Sequence, residues 1–162
     1  NYNNEIIKGI KLHRLIDSFT DSNLIVEKSK KRLRSYFHKY SPVIMDVFYD
    51  HFLAKNWIEY HSETLEKYVA NVYTMLKRNE NMLPQKTKIM IIHMVQYNWL
   101  KGYETLEGIN RALTGMSRRA KFESKMDEAT AFLEKDYELY EKEFEEFFPQ
   151  LKKFCSERIK AL

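Results

Sequence analysis

Residues 41–53 (SPVIMDVFYDHFL) constrain the fold of this chain more than any other segment. Their Ser-Pro start is typical of a helix N-terminus, because Ser can cap an unpaired N–H group and Pro has none to lose. At helical spacing the apolar residues spread around the whole circumference; they are Val43, Ile44, Val47, Phe48, Phe52 and Leu53. A helix that is apolar on all sides is expected in the core of a helical protein rather than on its surface.

Two carboxylates interrupt this apolar helix. Asp46 and Asp50 lie four residues apart and therefore on one face, and His51 follows directly. Carboxylates in a buried helix are costly unless an Arg, a Lys or a metal ion balances them. Because local rules tend to fail at working sites, this conflict is the main indication of function in the sequence.

The composition favours a single domain with a real core and a cytoplasmic location. The chain has 162 residues, of which 44% are hydrophobic and 14% aromatic, whereas four Gly and three Pro are too few for the turns of an all-β fold. A single cysteine, Cys155, excludes an internal disulfide. No apolar run reaches the roughly 18 residues of a membrane span, and no signal peptide is recognisable.

Apolar periodicity predicts an all-α fold, a single compact bundle of six to eight helices over residues 1–162. The predicted helices cover residues 4–19, 21–40, 41–53, 62–77, 84–102, 106–113 and 117–149, with a shorter tail to 162. Gly115 is expected to end the helix over 106–113 in a left-handed cap, so that Ser117 opens the last long helix. Pro149 is expected to break or bend that helix.

The net charge of +4 conceals an asymmetry along the chain. Residues 1–122 hold 20 Lys/Arg against 12 Asp/Glu, whereas residues 123–162 hold 7 against 11. The basic part favours an acidic partner, either a nucleic acid or an acidic protein. The helix over 21–40 offers a docking surface for such a partner, unless its basic face is simply solvated. The cations of that face are Lys28, Lys30, Lys31, Arg32 and Arg34.

Asp and His residues are the candidates for chemistry, since the chain has neither a Gly-rich phosphate loop nor a Cys/His zinc cluster. They are His13, Asp17, Asp21, Asp46, Asp50 and His51. Hard oxygen donors with one or two imidazoles suit Mg²⁺ or Mn²⁺, and imidazole widens the choice to Fe or Zn. Such a metal polarises a phosphoryl group and lowers the pKa of a bound water.

Both groups of candidate ligands have a structural alternative. His13 and Asp17 are spaced as an ordinary i,i+4 pair at a partly exposed helix end. The carboxylates as a whole could instead belong to a charge network in which an arginine replaces the metal. The arginines available for this are Arg14, Arg118 and Arg119.

The turn at residues 115–121 (GMSRRAK) is a second candidate site. It combines a predicted helix N-terminus at Ser117 with the cations Arg118, Arg119 and Lys121, which together would bind an anion. The alternative is an exposed basic turn without a ligand.

Three blocks in a set order and spacing point to a known family: residues 9–17 (GIKLHRLID) followed by Thr20-Asp21, residues 41–53, and residues 115–119 (GMSRR). Together they resemble the bacterial acyl carrier protein phosphodiesterases, also called ACP hydrolases, over nearly the whole chain. Trp99-Leu100 before Gly102-Tyr103 and the Phe147-Phe148-Pro149 ending are further points of similarity.

The resemblance implies an HD-domain-like helical fold, since that family is a divergent relative of the HD-domain metal phosphohydrolases. The dipeptide here reads Asp50-His51, the reverse of the usual HD order, so ligand roles are not transferred from that superfamily. Members of the resembled family begin with a further N-terminal segment that carries a His and an Asp. We therefore expect residues 1–162 to lack that segment.

The resemblance also implies an activity. The substrate is holo-acyl carrier protein, whose phosphodiester between 4′-phosphopantetheine and a serine is hydrolysed to apo-carrier protein and 4′-phosphopantetheine, in the context of fatty acid biosynthesis. The implied cofactor is a divalent metal, with Mn²⁺ first and Mg²⁺ or Fe²⁺ as alternatives. Acyl carrier proteins are strongly acidic, so the basic part of the chain would steer their encounter.

On this hypothesis the metal ligands are His13, Asp17, Asp46 and Asp50, with His51 as the alternative histidine. The predicted catalytic residues are Asp17, Asp50 and His51. The phosphodiester or the carrier protein would be bound by Arg14, Arg118 and Arg119.

Two other functions remain open from the sequence. One is a metal phosphohydrolase acting on nucleotides or another phosphodiester. The other is a non-enzymatic basic helical module that binds an acidic protein or nucleic acid, although nothing resembles a helix-turn-helix reader. No membrane partner is expected, and the pattern does not specify an oligomeric state.

Overall fold

Helices account for most of the protein, as the apolar periodicity predicts. The computed structural model describes residues 4–162, of which 85% are helical, and these residues contain no strand. The α-helices are α1 (Asn4–Ser22), α2 (Leu24–Phe37), α3 (Ser41–Lys55), α4 (Trp57–Tyr60), α5 (Leu65–Arg78), α6 (Gln85–Gln96), α7 (Trp99–Gly102), α8 (Leu106–Arg119), α9 (Ala129–Lys135) and α10 (Tyr137–Ile159). Short 3₁₀ turns lie at His38–Tyr40, Glu80–Met82 and Met126–Glu128. The all-α class is therefore confirmed.

The chain folds into two compact units. One unit contains the chain up to Met45 together with Leu133–Leu162, and the other contains Asp46–Phe132. The assignment of one domain to residues 1–162 stays a prediction, as does the HD-domain-like detail. In the part of the chain that the structure describes, no helix has the length and apolar character needed to cross a bilayer.

Helix α3 buries more of its residues than any other described helix. Ile44, Phe48 and Phe52 are fully buried, as the all-round apolar pattern predicts. Val43 departs from that prediction with 40% exposure. Ser41 is the first residue of the helix, and its hydroxyl donates to the His38 carbonyl at 2.8 Å instead of capping an N–H group.

In the first unit, aromatic side chains join α1 to α10, and Asn23 caps the start of α2. The Phe19 ring of α1 stacks on Phe154 of α10 with 4.5 Å between centroids, and it also contacts Phe147. Asn23 accepts a hydrogen bond from the Ile25 N–H at 2.9 Å and so caps α2. None of the described residues of α1 is fully buried, but its apolar residues Leu12, Leu15 and Ile16 are half-buried along with Phe19.

Glu143 of α10 is a buried carboxylate with a full set of partners. It is 2% exposed, and it accepts hydrogen bonds from Ser29 and from both terminal nitrogens of Arg32. Lys28 lies 3.3 Å away, and the Arg32 guanidinium stacks over the Tyr140 ring at 4.4 Å. Burial raises the pKa of Glu143, but the hydrogen bonds from Arg32 and Ser29 outweigh it, so the pKa lies below the usual 4.5.

We expect Glu143→Gln to destabilise the protein by about 3 kcal/mol at neutral pH, because it leaves Arg32 without its counter-ion. Since the pKa of Glu143 is lowered in the folded state, its contribution is present above pH 4.5 and is lost as the pH falls through the folded-state value. Urea unfolding of both proteins should therefore converge in acid. Glu145→Gln, on the exposed side of the same helix, is the control and should change little. Equal stability of Glu143→Gln and wild type at neutral pH would contradict the assigned role.

In the second unit, α7 and α8 approach each other at two glycines. A Cβ atom on Gly108 would lie 1.8 Å from the Gly102 carbonyl oxygen, so only glycine fits there. The Thr105 hydroxyl caps α8 by accepting the Gly108 N–H at 3.0 Å. Backbone contact at this point therefore determines how closely the two helices pack.

Gly108→Ala is expected to lower the free energy of unfolding by about 1–3 kcal/mol, because α7 and α8 must separate to admit the methyl group. Gly9→Ala is the matched control, since a Cβ on Gly9 would meet no atom within 4 Å. At this exposed position of α1 that change should be neutral or stabilise by up to about 1 kcal/mol. Thermal unfolding of the two variants measures the difference, and equal midpoints would show that the close approach is not needed.

Two predicted helix boundaries are wrong. Helix α8 continues through Gly115 to Arg119, and no described glycine has a positive φ. Its buried face, which includes Ile109 and Leu113, outweighs the cost of about 1 kcal/mol for an internal glycine. Helix α10 starts at Tyr137 instead of Ser117. It continues through Pro149 without the predicted break, since its aromatic contacts with α1 offset the missing hydrogen bond, and a bend there stays a prediction.

Candidate active site

The predicted carboxylate pair on α3 is accessible to solvent. Asp46 and Asp50 keep exposed side chains, although the residues on either side of each are buried. Because residues four apart lie on one face of a helix, the two carboxylates form a polar strip along an otherwise buried element. The pattern of residues 41–53 therefore predicted both the burial of α3 and the interruption of its apolar surface by Asp46 and Asp50.

The Asp50 carboxyl has a pKa raised to about 7. The main cause is desolvation by the surrounding protein, and the charge of Asp46 adds to it. No cation among residues 4–162 lowers this value. Asp50 thus combines contact with solvent and a strongly weakened acidity, which is the state expected of a group that can exchange a proton near neutral pH.

His51 follows Asp50 on α3, and its side chain is buried and hydrogen-bonded instead of lying on the surface. It is 2% exposed, and its Nδ1 lies 2.8 Å from the Tyr103 carbonyl oxygen. The Nδ1–H group therefore donates to that carbonyl, which fixes the orientation of the ring. The bond ties α3 to the residue that follows α7.

Tyr103 and Tyr73 are part of this neighbourhood and were missed by the sequence-based prediction. Burial, together with the charges of Asp50 and Tyr73, raises the pKa of Tyr103 to about 12. The Tyr103 hydroxyl therefore stays protonated and lies close enough to respond to Asp50. Tyr73 accepts the Leu100 N–H at 3.1 Å. The only signal in the sequence was the Gly102-Tyr103 block, which carried no predicted role.

His13 and Asp17 form a pair of their own in the first unit. His13 Nδ1 and Asp17 Oδ2 are 2.9 Å apart, with side chains 77% and 58% exposed. This is the geometry of the exposed i,i+4 pair that the sequence offered as the alternative to metal ligation. Arg14, next to His13, is exposed and forms no ion pair with residues 4–162.

The predicted anion site at residues 115–121 lacks its helix N-terminus. Arg118 and Arg119 lie in the last turn of α8, where positive charges stabilise the helix dipole. The Ser117 hydroxyl, predicted as a cap, donates to Asp127 at 2.7 Å and accepts from Ser124 at 3.0 Å. The helix-dipole argument for anion binding is therefore wrong here, and substrate binding by Arg118 and Arg119 stays a prediction.

Two carboxylates of the predicted metal site, Asp46 and Asp50, lie together on α3. Within residues 4–162, no group of three or more His, Cys, Asp or Glu side chains is arranged to hold an ion. The predicted ligands His13 and Asp17 belong to the first unit and Asp46 and Asp50 to the second, so the complete set stays a prediction. Mg²⁺-like ions, however, keep several waters and use one or two carboxylates together with substrate phosphates. The Asp46–Asp50 strip fits that mode.

We expect Asp50→Asn to stabilise the metal-free protein at about pH 8, by about 1–2 kcal/mol after allowance for solvent contact. A raised carboxyl pKa means that wild-type stability falls as the pH rises from 3.8 to about 7. The amide removes this loss, so the gain should vanish in acid. Urea unfolding in EDTA measures it, with Asp136→Asn on the N-terminal side of α10 as the control. A pH-independent difference would refute the raised pKa.

Comparison with known proteins supports one family. The family model described as acyl carrier protein phosphodiesterase matches residues 1–151. Proteins of that name from Pectobacterium atrosepticum and Klebsiella pneumoniae are 28% and 29% identical to this chain, over 93% and 97% of it and 78% and 82% of their own lengths. One from Photorhabdus laumondii is 24% identical over 93% of this chain and 76% of its own. No solved structure matches the chain significantly.

Proposed function

Because the chain belongs to the acyl carrier protein phosphodiesterase family, we propose that it hydrolyses the phosphodiester between 4′-phosphopantetheine and a serine of holo-acyl carrier protein. The products are apo-carrier protein and 4′-phosphopantetheine. The observation that carries the proposal is the accessible Asp46–Asp50 strip on a buried helix, which lies inside the matched residues. A cytoplasmic location and a role in fatty acid biosynthesis belong to the same proposal.

A divalent cation at Asp46 and Asp50 is part of the proposal, with Mn²⁺ first and Mg²⁺ or Fe²⁺ as alternatives. Support comes from Asp50, whose charged form is disfavoured by desolvation and by the neighbouring charge of Asp46. A nearby cation would favour that charged form. When bound, such an ion supplies charge stabilisation at the phosphoryl oxygens and a more acidic water.

The residues of the second unit supply proton transfer and orientation. Asp50, in its charged form, accepts the proton of the attacking water. The new bond joins the water oxygen to phosphorus, the bond from phosphorus to the serine oxygen breaks, and the serine oxygen takes a proton from solvent. Tyr103 offers a protonated hydroxyl beside Asp50, while His51 positions α3 through the Tyr103 carbonyl.

The remaining predicted residues have binding roles in this proposal. Arg14, Arg118 and Arg119 neutralise the phosphodiester or contact the carrier protein, whereas metal ligation by Asp17 and His13 stays a prediction from the sequence. Support for Arg14 is its exposure without an ion pair to any residue in 4–162.

Mass spectrometry of holo-acyl carrier protein, incubated with the full-length enzyme and Mn²⁺, tests the activity. We expect the carrier to lose the mass of 4′-phosphopantetheine, and EDTA to prevent the loss. Asp50→Asn should lower kcat by at least about a hundredfold, because the proton acceptor is removed. Its circular dichroism should be unchanged.

Asp136→Asn is the matched control and should retain full activity. An unchanged carrier mass with the wild-type enzyme and Mn²⁺ would overturn the proposed reaction. Full turnover by Asp50→Asn would remove Asp50 from the mechanism, and full turnover in EDTA would remove the metal.

A further inference from the structure

Residues 75–97 of the second unit form a surface that exposes apolar side chains; we call it the α5–α6 corner. It comprises the end of α5, the 3₁₀ turn Glu80–Met82 and helix α6. Ile91 is the only buried residue of α6. The exposed apolar side chains include Met75, Met82, Ile89, Met90, Ile92 and Val95. Singly exposed apolar residues are ordinary, but a group of this kind, rich in Met, marks an interaction surface.

The same corner carries cations that no described residue neutralises. Lys77, Arg78, Lys86 and Lys88 form no ion pair with residues 4–162. Glu80 is the only acidic residue between positions 75 and 97. The corner is therefore both apolar and positively charged.

Helix geometry places these cations beside the exposed apolar side chains. Residues three and four apart are neighbours on a helix surface, so Lys86 lies next to Ile89 and Met90, and Lys88 lies next to Ile92. Both lysines are at the N-terminal end of α6, where positive charge does not stabilise a helix. A contribution to the stability of α6 therefore does not explain why lysines occupy these two positions.

The basic face of α2 is different, although the sequence made it the expected docking surface. Lys28 and Arg32 pair with Glu143, and Arg34 pairs with Glu27. Lys30 is buried and lies near Asp21 and Glu27. Most of the α2 cations are thus already paired with carboxylates of the same chain.

We propose that the α5–α6 corner is the docking surface for the acidic carrier protein. This inference rests on the proposed function. Protein interfaces combine an apolar centre with a charged rim, and complementary charge steers the encounter. A second copy of this chain would bring the same cations face to face in a two-fold interface, where like charges repel. An acidic protein with apolar side chains among its carboxylates satisfies both parts of the surface.

The charge contribution is tested with K86E/K88E in the full-length enzyme. We expect KM for holo-acyl carrier protein to rise about tenfold while kcat stays within about twofold, because docking and not chemistry is weakened. Added salt should raise the wild-type KM and affect the variant less. K142E/K153E is the matched control and should behave as wild type, because it reverses two exposed cations of α10 that form no ion pair with residues 4–162.

The apolar contribution is tested with Ile92→Ser, which should also raise KM for the carrier protein. Ile58→Ser is its control, since Ile58 is 85% exposed outside the corner. Circular dichroism and thermal unfolding confirm that each variant folds. Calorimetric binding of holo-carrier protein provides a second measurement that does not require turnover.

The two proposals fail separately. If wild-type enzyme turns over carrier protein but K86E/K88E and Ile92→Ser keep its KM, the docking inference is overturned and the proposed function stands. If wild type shows no turnover, the proposed function fails, and calorimetry decides the docking: weaker binding by the variants supports it and equal binding overturns it. The inference is also overturned if the variants only convert a dimer to a monomer, or only lose affinity for anionic phospholipid vesicles, with KM unchanged.

Discussion

Burial of helix α3 is the constraint on which the rest of the structure depends. Its apolar side chains are withdrawn from water on most sides, and each buried Phe or Ile contributes roughly 1.5–3 kcal/mol. Asp46 and Asp50 occupy the strip that remains accessible. The protein that surrounds this helix also desolvates Asp50, so the packing that stabilises the fold is what shifts the acidity of the candidate catalytic group.

Glu143 and Asp50 show that the pKa of a desolvated carboxyl depends on the groups next to it. Burial alone would raise the pKa of both groups. Arg32 and Ser29 donate hydrogen bonds to Glu143 and reverse the shift, whereas the charge of Asp46 reinforces it at Asp50. Glu143 therefore acts as an internal counter-ion, and Asp50 is held in a state that a proton or a cation can change.

The cations also differ in whether they have a partner: some pair with carboxylates of the same chain, and others do not. Arg32 and Glu143 are 111 positions apart in the chain, so the periodicity of α2 could not reveal that its basic face is already neutralised. Lys86 and Lys88 look no different in the sequence, yet they remain unpaired with the described residues. A count of lysines and arginines thus predicts an acidic partner, while only the ion pairs show which cations are already neutralised within the described chain.

The sequence by itself determined the all-α class, the burial of α3 and the placement of Asp46 and Asp50 on one face, because these follow from contacts between residues a few positions apart. Tertiary structure alone decided the acidity of Asp50 and its neighbour Tyr103, since desolvation depends on the protein packed around a group. Tertiary packing also explains why α8 continues beyond Gly115, because burial of a whole helix face outweighs the low helix propensity of one glycine. Local spacing positions side chains, and long-range packing decides what those side chains can do.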